Sequence, residues 1–249
     1  MRFPDISKSR QLGWLIRTEF LKLMRSPGFS LPTLLLPVGF YLIFGVAIQT
    51  SGSSPAYLLA TYIVFSAMAP GLFGVGVTLA AERASGWTEM LAVSPAQPML
   101  LLVARLTIAL LYALIGAVFI LLLAVTIAQV NLTLAQAVLL LLLSIMAALP
   151  FACIGLCIGQ LVSKGAASAW SNLLFLPVAV LSGLWFPLQV LPELMQQLAL
   201  VLPAYHMAQL GLAVLFPGAL LQLPLHLAVW VLWIVLPLGL LQYRKLSLY

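Results

Sequence analysis

The chain has 249 residues, of which 64% are hydrophobic and 6% charged, with a mean hydropathy of +1.18. A soluble globule of that composition would expose more apolar surface than water tolerates, so the sequence specifies an all-α polytopic membrane protein, residues 1–249 forming one membrane domain with no room for a soluble one. The formal charge of +6 does not indicate nucleic acid, because the positive residues lie beside apolar runs, where membrane topology accounts for them.

Residues 1–28 hold six Lys or Arg and no apolar core of signal-peptide length, so this segment is expected to stay cytoplasmic. From Gln11 to Arg25, Leu12, Leu15, Ile16, Phe20, Leu23 and Met24 follow a helical stripe, with Arg17, Lys22 and Arg25 off it. That pattern predicts a helix lying in the interface with its basic side chains at lipid headgroups. Glu19 interrupts the stripe, and Trp14 and Leu21 fall outside it. Ser26-Pro27-Gly28 then turns the chain into the bilayer.

Six runs are long enough to cross about 30 Å of hydrocarbon: 29–48, 57–81, 106–128, 134–162, 167–186 and 223–241. The segments that would then be cytoplasmic carry all eleven Lys and Arg, whereas the opposite loops, 49–56, 129–133 and 187–222, carry none. This asymmetry predicts both termini in the cytoplasm. In the fourth span Cys153 and Cys157 are helix neighbours, a spacing that suits buried thiols rather than a disulfide or a zinc site.

The loop 82–105 is the one sizeable cytoplasmic loop between spans, and Glu82, Arg83 and Glu89 are three of the chain's sixteen charged residues. Gly86 is expected to open a short helix over 86–93, with Glu89 reaching back to its orphan amides and Ser94-Pro95 closing it. Trp87, Met90 and Leu91 share a face at i, i+3, i+4 spacing. So short a helix is unstable alone, and that face needs cover from the membrane surface or from a groove on another protein; we favour the groove.

Pro187, Pro192, Pro203 and Pro217 cut the segment 187–222 into pieces. We expect 191–202 and 205–216 to be short apolar helices dipping back into the outer leaflet, with Glu193, the one charge on this side, at a helix start beside Pro192. His206 and His226 have no carboxylate or cysteine at ligand spacing and read as core or interface histidines.

No predicted span carries an Asp, Glu, Lys or Arg in its interior, which argues against an ion-coupled carrier. There is no P-loop, no His-Glu zinc motif and no Gly-x-Ser-x-Gly elbow, so an enzyme is disfavoured and any energy for transport must come from another subunit.

Three stretches resemble the membrane subunit of a type 2 ABC transporter permease, the exporter-type subunit whose ATPase is a separate polypeptide. Arg17-Thr18-Glu19, Arg25-Ser26-Pro27 and Pro37 are similar to the family's connecting helix leading into the first span. Glu82-Arg83, Gly86, Glu89-Met90-Leu91 and Ser94-Pro95 resemble its loop after the second span, with Ala84-Ser85 and Trp87 departing from the usual residues. Ser182-Gly183-Leu184-Trp185-Phe186-Pro187, Leu191-Pro192 and Leu202-Pro203 are similar to the end of the fifth span and the outer helices.

The resemblance implies two ATPase subunits, which use ATP and Mg, seated below a homodimer or a pair of like permeases in a bacterial inner membrane, this chain binding no cofactor itself. Trp87 to Val93 would be the coupling helix in an ATPase groove, with Glu82, Arg83, Gly86, Glu89, Met90 and Leu91 making contact and Arg17, Glu19 and Arg25 flanking it. Substrate would pass by alternating access. Small and polar residues gather at Gly71, Gly74 and Gly76, at Gly155 and Gly159, and at Ser168, Ser171 and Asn172. The Gly155/Gly159 pair suits tight helix packing. Ser168, Ser171 and Asn172, with Gly183 and Phe186, are the candidates for the path or the dimer interface, and the charge-poor interior suits a lipid-like or amphiphilic substrate. A carrier or channel acting alone, or a non-transporting assembly factor, are the competing classes.

Overall fold

The computed structural model describes residues 8–48, 54–92, 98–216, 218 and 222–243; among them there are helices and no strand. Helix α1, Lys8–Met24, lies before six helices long and apolar enough to span a membrane. These are α2 (Pro27–Ala47), α3 (Pro55–Ala84), α5 (Pro98–Thr126), α6 (Leu134–Leu161), α7 (Lys164–Leu181) and α10 (Leu223–Tyr243). A short helix α4 (Trp87–Ala92) follows α3, and α8 (Glu193–Ala199) and α9 (Pro203–Leu215), bent by 85° to one another, precede α10. The spans sit where apolar length places them, but α5 begins at Pro98 rather than at residue 106, and α7 starts three residues earlier and ends five residues earlier than expected. Arg105 is therefore inside a helix, and buried, a correction to the expectation that the spans hold no charge.

The second span is the axis of the fold. Ser54 caps it by accepting the Tyr57 N–H (3.1 Å), Pro55 fills its first position, and its middle widens into a π-helix over Pro70–Val77. Tyr62, Phe65, Met68 and Leu72 are fully enclosed. The wide turns bring backbone rather than side chains against α6. A Cβ on Gly76 would stand 2.8 Å from the Gly155 carbonyl oxygen, and one on Gly155 would collide with the Gly71 carbonyl. Glycine is needed here for close approach, as the small-residue spacing suggested, and dispersion between touching backbones is what holds helices together in lipid.

Around this axis α2, α5, α7 and α9 each cover one side. Phe65 stacks on Phe175 of α7 (5.0 Å between centroids), and Phe40 of α2 meets Trp185 edge-on at 5.1 Å. The inner face of α9 (Ala204, Met207, Ala208, Gly211) is buried, so protein covers this short helix as its length requires. Glu193 stands in the first turn of α8 after Pro192, where the helix dipole favours it. Trp230 of α10 donates to the Met146 carbonyl of α6 (2.8 Å), and Cys157 donates to the Pro237 carbonyl (3.2 Å); both thiols are free.

Candidate functional site

At one end of the bundle, α3 stops at Ala84 and the chain reverses through Ser85 and Gly86. Gly86 has φ +74°, the left-handed conformation in which glycine carries no Cβ penalty. Its N–H donates to the Arg83 carbonyl (3.2 Å) and its own carbonyl accepts the Met90 N–H (3.1 Å), so one residue ends the span and opens α4. The expectation that Glu89 closes on the Gly86 amide is corrected: that N–H is already committed to Arg83. Trp87 and Met90 are 45% and 63% exposed, so the part of the apolar face of α4 that they form is largely uncovered among the described residues. The Leu91 side chain and residues 93–97, including Val93, Ser94 and Pro95, lie outside the described residues.

Four charges from three segments meet just above α4. Lys22 of α1 reaches Glu19 (2.7 Å) and also Glu82 at the end of α3, and the other Glu82 oxygen accepts from Arg105 of α5. Arg105 and Glu19 are 3% and 7% exposed. Burial of so many charges is sustained only because each meets its opposite. The lone acid in the apolar stripe of α1 thus faces inward to complete an ion-pair chain. Below Glu19, Leu23 is buried beside Tyr112, and the Ser30 hydroxyl bonds both Tyr112 (3.1 Å) and the Leu23 carbonyl, which ties the turn between α1 and α2. Lys22 and Arg105 carry this network with Glu82, yet neither stood out in the sequence, since the partners are far apart along the chain.

Arg83 points the other way. Its Nη1 donates to the carbonyls of Gly159 (2.8 Å) and Gln160 (2.7 Å), satisfying orphan acceptors in the last turn of α6, where a cation also suits the dipole. Glu82 and Arg83 therefore do not pair with each other at a helix end; Glu82 is committed to α1 and α5, and Arg83 to α6. A polar crevice of about 370 Å³ opens between α4 and the α6–α7 turn, lined by Arg83, Glu89 and Lys164. Arg17 is exposed and stacks over Trp14 at 5.7 Å, and Arg25 is exposed just past the end of α1.

The candidates on and after α7 fall in three places. Ser171 is fully buried and donates to the Leu72 carbonyl (3.2 Å), an internal contact with α3. Asn172 is exposed; its amide donates to the Ser168 carbonyl one turn back (3.0 Å) and lines a cavity of about 290 Å³ with Phe29, Thr33, Leu36, Phe73 and Phe175. Ser168 lines a neighbouring cavity of about 420 Å³ that includes Lys22 and Glu82 and shares Gly28, Phe29 and Phe73 with the first. Gly183 and Phe186 lie at the opposite end of the bundle, where Gly183, at φ +71°, accepts from the Tyr57 hydroxyl (3.0 Å) and Phe186 meets Phe44 at 6.0 Å. There too the two histidines, far from isolated, touch each other, with 2.7 Å between their Nδ1 atoms.

A protein-family model described as ABC-2 family transporter protein matches residues 44–241. YvfS of Bacillus subtilis (strain 168), assigned as a transport permease, is 27% identical to this chain over 192 residues, which cover 76% of this chain and 78% of that protein. The match runs from the end of α2 through α10 and takes in Glu82, Gly86, Arg105 and α4. Six apolar helices, two of them in close backbone contact, matched to that model over most of their length, place the chain in the ABC-2 family of transporter proteins, as the integral membrane subunit of an ABC transporter that works with an ATP-binding partner.

Proposed function

We propose that this chain is the permease of an exporter that moves a lipid-like or amphiphilic substrate by alternating access, driven by two ATP-binding subunits that dock on α4. The observation that carries the reading is the bare Trp87–Met90 face on a six-residue helix, which cannot hold its shape without a partner. The charges directly behind that face, Glu82 and Arg83, are committed to α1, α5 and α6, so movement of α4 is delivered to three helices at once. Their role is to tie the docking helix to the bundle, while Glu89 and Lys164 rim the crevice beside it.

In the proposed topology both termini and α4 face the cytoplasm of a bacterium, and two copies of the chain form the transporter with Asn172 facing the shared path. Supporting the amphiphile reading, the two adjoining cavities run from an ion pair and hydroxyls (Lys22, Glu82, Ser168) to an aromatic wall (Phe29, Phe73, Phe175). A molecule with a polar head and an apolar tail matches that gradient. Closure of the ATPases on ATP draws the α4 helices together, and the spans rock between states open to either side.

The test is transport in proteoliposomes. A fluorescent phospholipid analogue should change leaflet only when the ATP-binding subunit and hydrolysable ATP are both present. Movement by the permease alone would show a carrier, and no nucleotide-dependent movement of any amphiphile would remove the substrate class.

A further inference from the structure

At the end of the bundle remote from α4, His206 stands in the first turn of α9 and His226 in the first turn of α10, 1% and 8% exposed. The hydrogen-bond geometry fixes where their hydrogens are. Nε2 of His206 lies 2.9 Å from the Leu200 carbonyl oxygen, which can only accept, so Nε2 carries a hydrogen. A neutral ring then has a bare Nδ1, and the hydrogen in the 2.7 Å Nδ1 to Nδ1 contact belongs to His226. His226 is left with a bare Nε2. The two histidines are thus opposite tautomers, and they join the turn after α8, the head of α9 and the head of α10 in one line of bonds.

Among the described residues, their surroundings hold no counter-charge. The Tyr205 ring stands 5.2 Å from His206 and 6.5 Å from His226. From α3, Tyr57 is spent on Gly183, and from α6 the Gln136 amide donates to Val214 at the far end of α9 (3.1 Å). Glu193, at the head of α8, acts on neither imidazole, and no other carboxylate does among the described residues. Burial holds the His206 imidazole below its ordinary range.

We propose that the His206–His226 pair is a proton-operated latch that fastens the head of α9 to the sixth span when neutral and releases it on acidification. A first proton can enter at the bare Nε2 of His226 and leave both bonds intact. A second must enter at Nδ1 of His206, which turns the Nδ1 contact into two opposed N–H groups on two cations. The sign follows from linkage. A released pair takes up protons near the ordinary imidazole range, about pH 6.5, whereas the fastened pair resists them, so the fastened state loses ground as pH falls through that range. The loss is about tenfold in the fastened-to-released ratio per pH unit for each proton withheld. In the proposed topology this end faces the cell exterior, and the latch would loosen the outer helices in acid surroundings.

The chain has two histidines, which makes the test unambiguous. In lipid nanodiscs, with ¹⁵N-histidine and a tag free of histidine, the ring nitrogens at pH 8 should show one Nε2–H and one Nδ1–H tautomer, with coupling across the Nδ1 bond. Amide exchange over residues 206–215, corrected for its intrinsic pH dependence, should rise about fivefold between pH 6.5 and pH 5.5 and about tenfold per unit below that. His206→Gln keeps a donor for Leu200 and an acceptor for His226 but takes up no proton, so its exchange should be nearly flat with pH. Two like tautomers at pH 8, or exchange that ignores pH, would overturn the proposal, as would a His206→Gln chain that responds to pH like the parent. Should that variant fail to fold, the tautomers and exchange of the parent chain decide the matter alone.

Discussion

Glu82→Gln is the most informative single change, because Glu82 holds two cations of very different exposure. Lys22, whose side chain is 35% exposed, keeps Glu19 and can turn toward water. Arg105, 2% exposed in its side chain with Nε already unpartnered, cannot. The loss is therefore set by a stranded buried guanidinium, about 3 kcal/mol, the low end for a broken buried pair since Glu82 keeps some solvent. Lys22→Met should cost about 1 kcal/mol or less, being the exposed member. Combining Glu82→Gln with Arg105→Met removes the stranded charge, so the double variant should be more stable than the sum of the two, with a coupling of about 2 kcal/mol. Denaturant unfolding in mixed micelles, followed by tryptophan fluorescence, measures all of these. Equal losses for Glu82→Gln and Lys22→Met, or strictly additive double variants, would show that the network does not bind α1 to α3 and α5.

Three further outcomes follow from the same geometry. Gly86→Ala, forced to φ +74°, should cost about 1 to 2 kcal/mol locally, and Gly86→Pro, which also removes the N–H bonded to Arg83, should uncouple transport from hydrolysis while the spans still fold; ATPase stimulation against permease yield reads this. Gly155→Val places methyl groups in the α3 backbone and should cost 1 kcal/mol at the very least, on the order of 1 to 3 and more if α3 cannot shift, seen as loss of folded monomer in detergent. Asn172→Leu should leave stability within about 0.5 kcal/mol, as its amide bonds only its own helix, yet change substrate-stimulated ATP hydrolysis if the cavity is the path.

Span number and order were legible because 3.6-residue and 20-residue regularities are local properties of the chain. The stripe on α1 was legible for the same reason, and its one flaw, Glu19, marked a real contact whose partner could not be read. Glu82 lies 60 residues from Lys22 and 23 from Arg105, and no spacing rule connects them. The two histidines were passed over because ligand spacing looks along one helix, whereas they meet from two different helices, 20 residues apart along the chain. The start of α5 was missed because the search for an apolar run stepped over Arg105, a charge that the bundle neutralises internally. Gly86 drew attention as a cap, but its positive φ depends on α3 ending two residues earlier. In each case what failed was long-range pairing, which composition and periodicity do not encode.

The most direct measurement is co-purification of the ATP-binding subunit with Trp87→Ser/Met90→Ser permease in nanodiscs, alongside an unfolding curve for the same variant. If α4 is the docking helix, the variant unfolds like the parent, since both side chains face solvent, and the ATPase is lost. Undiminished ATPase on a variant with that face removed would contradict the account.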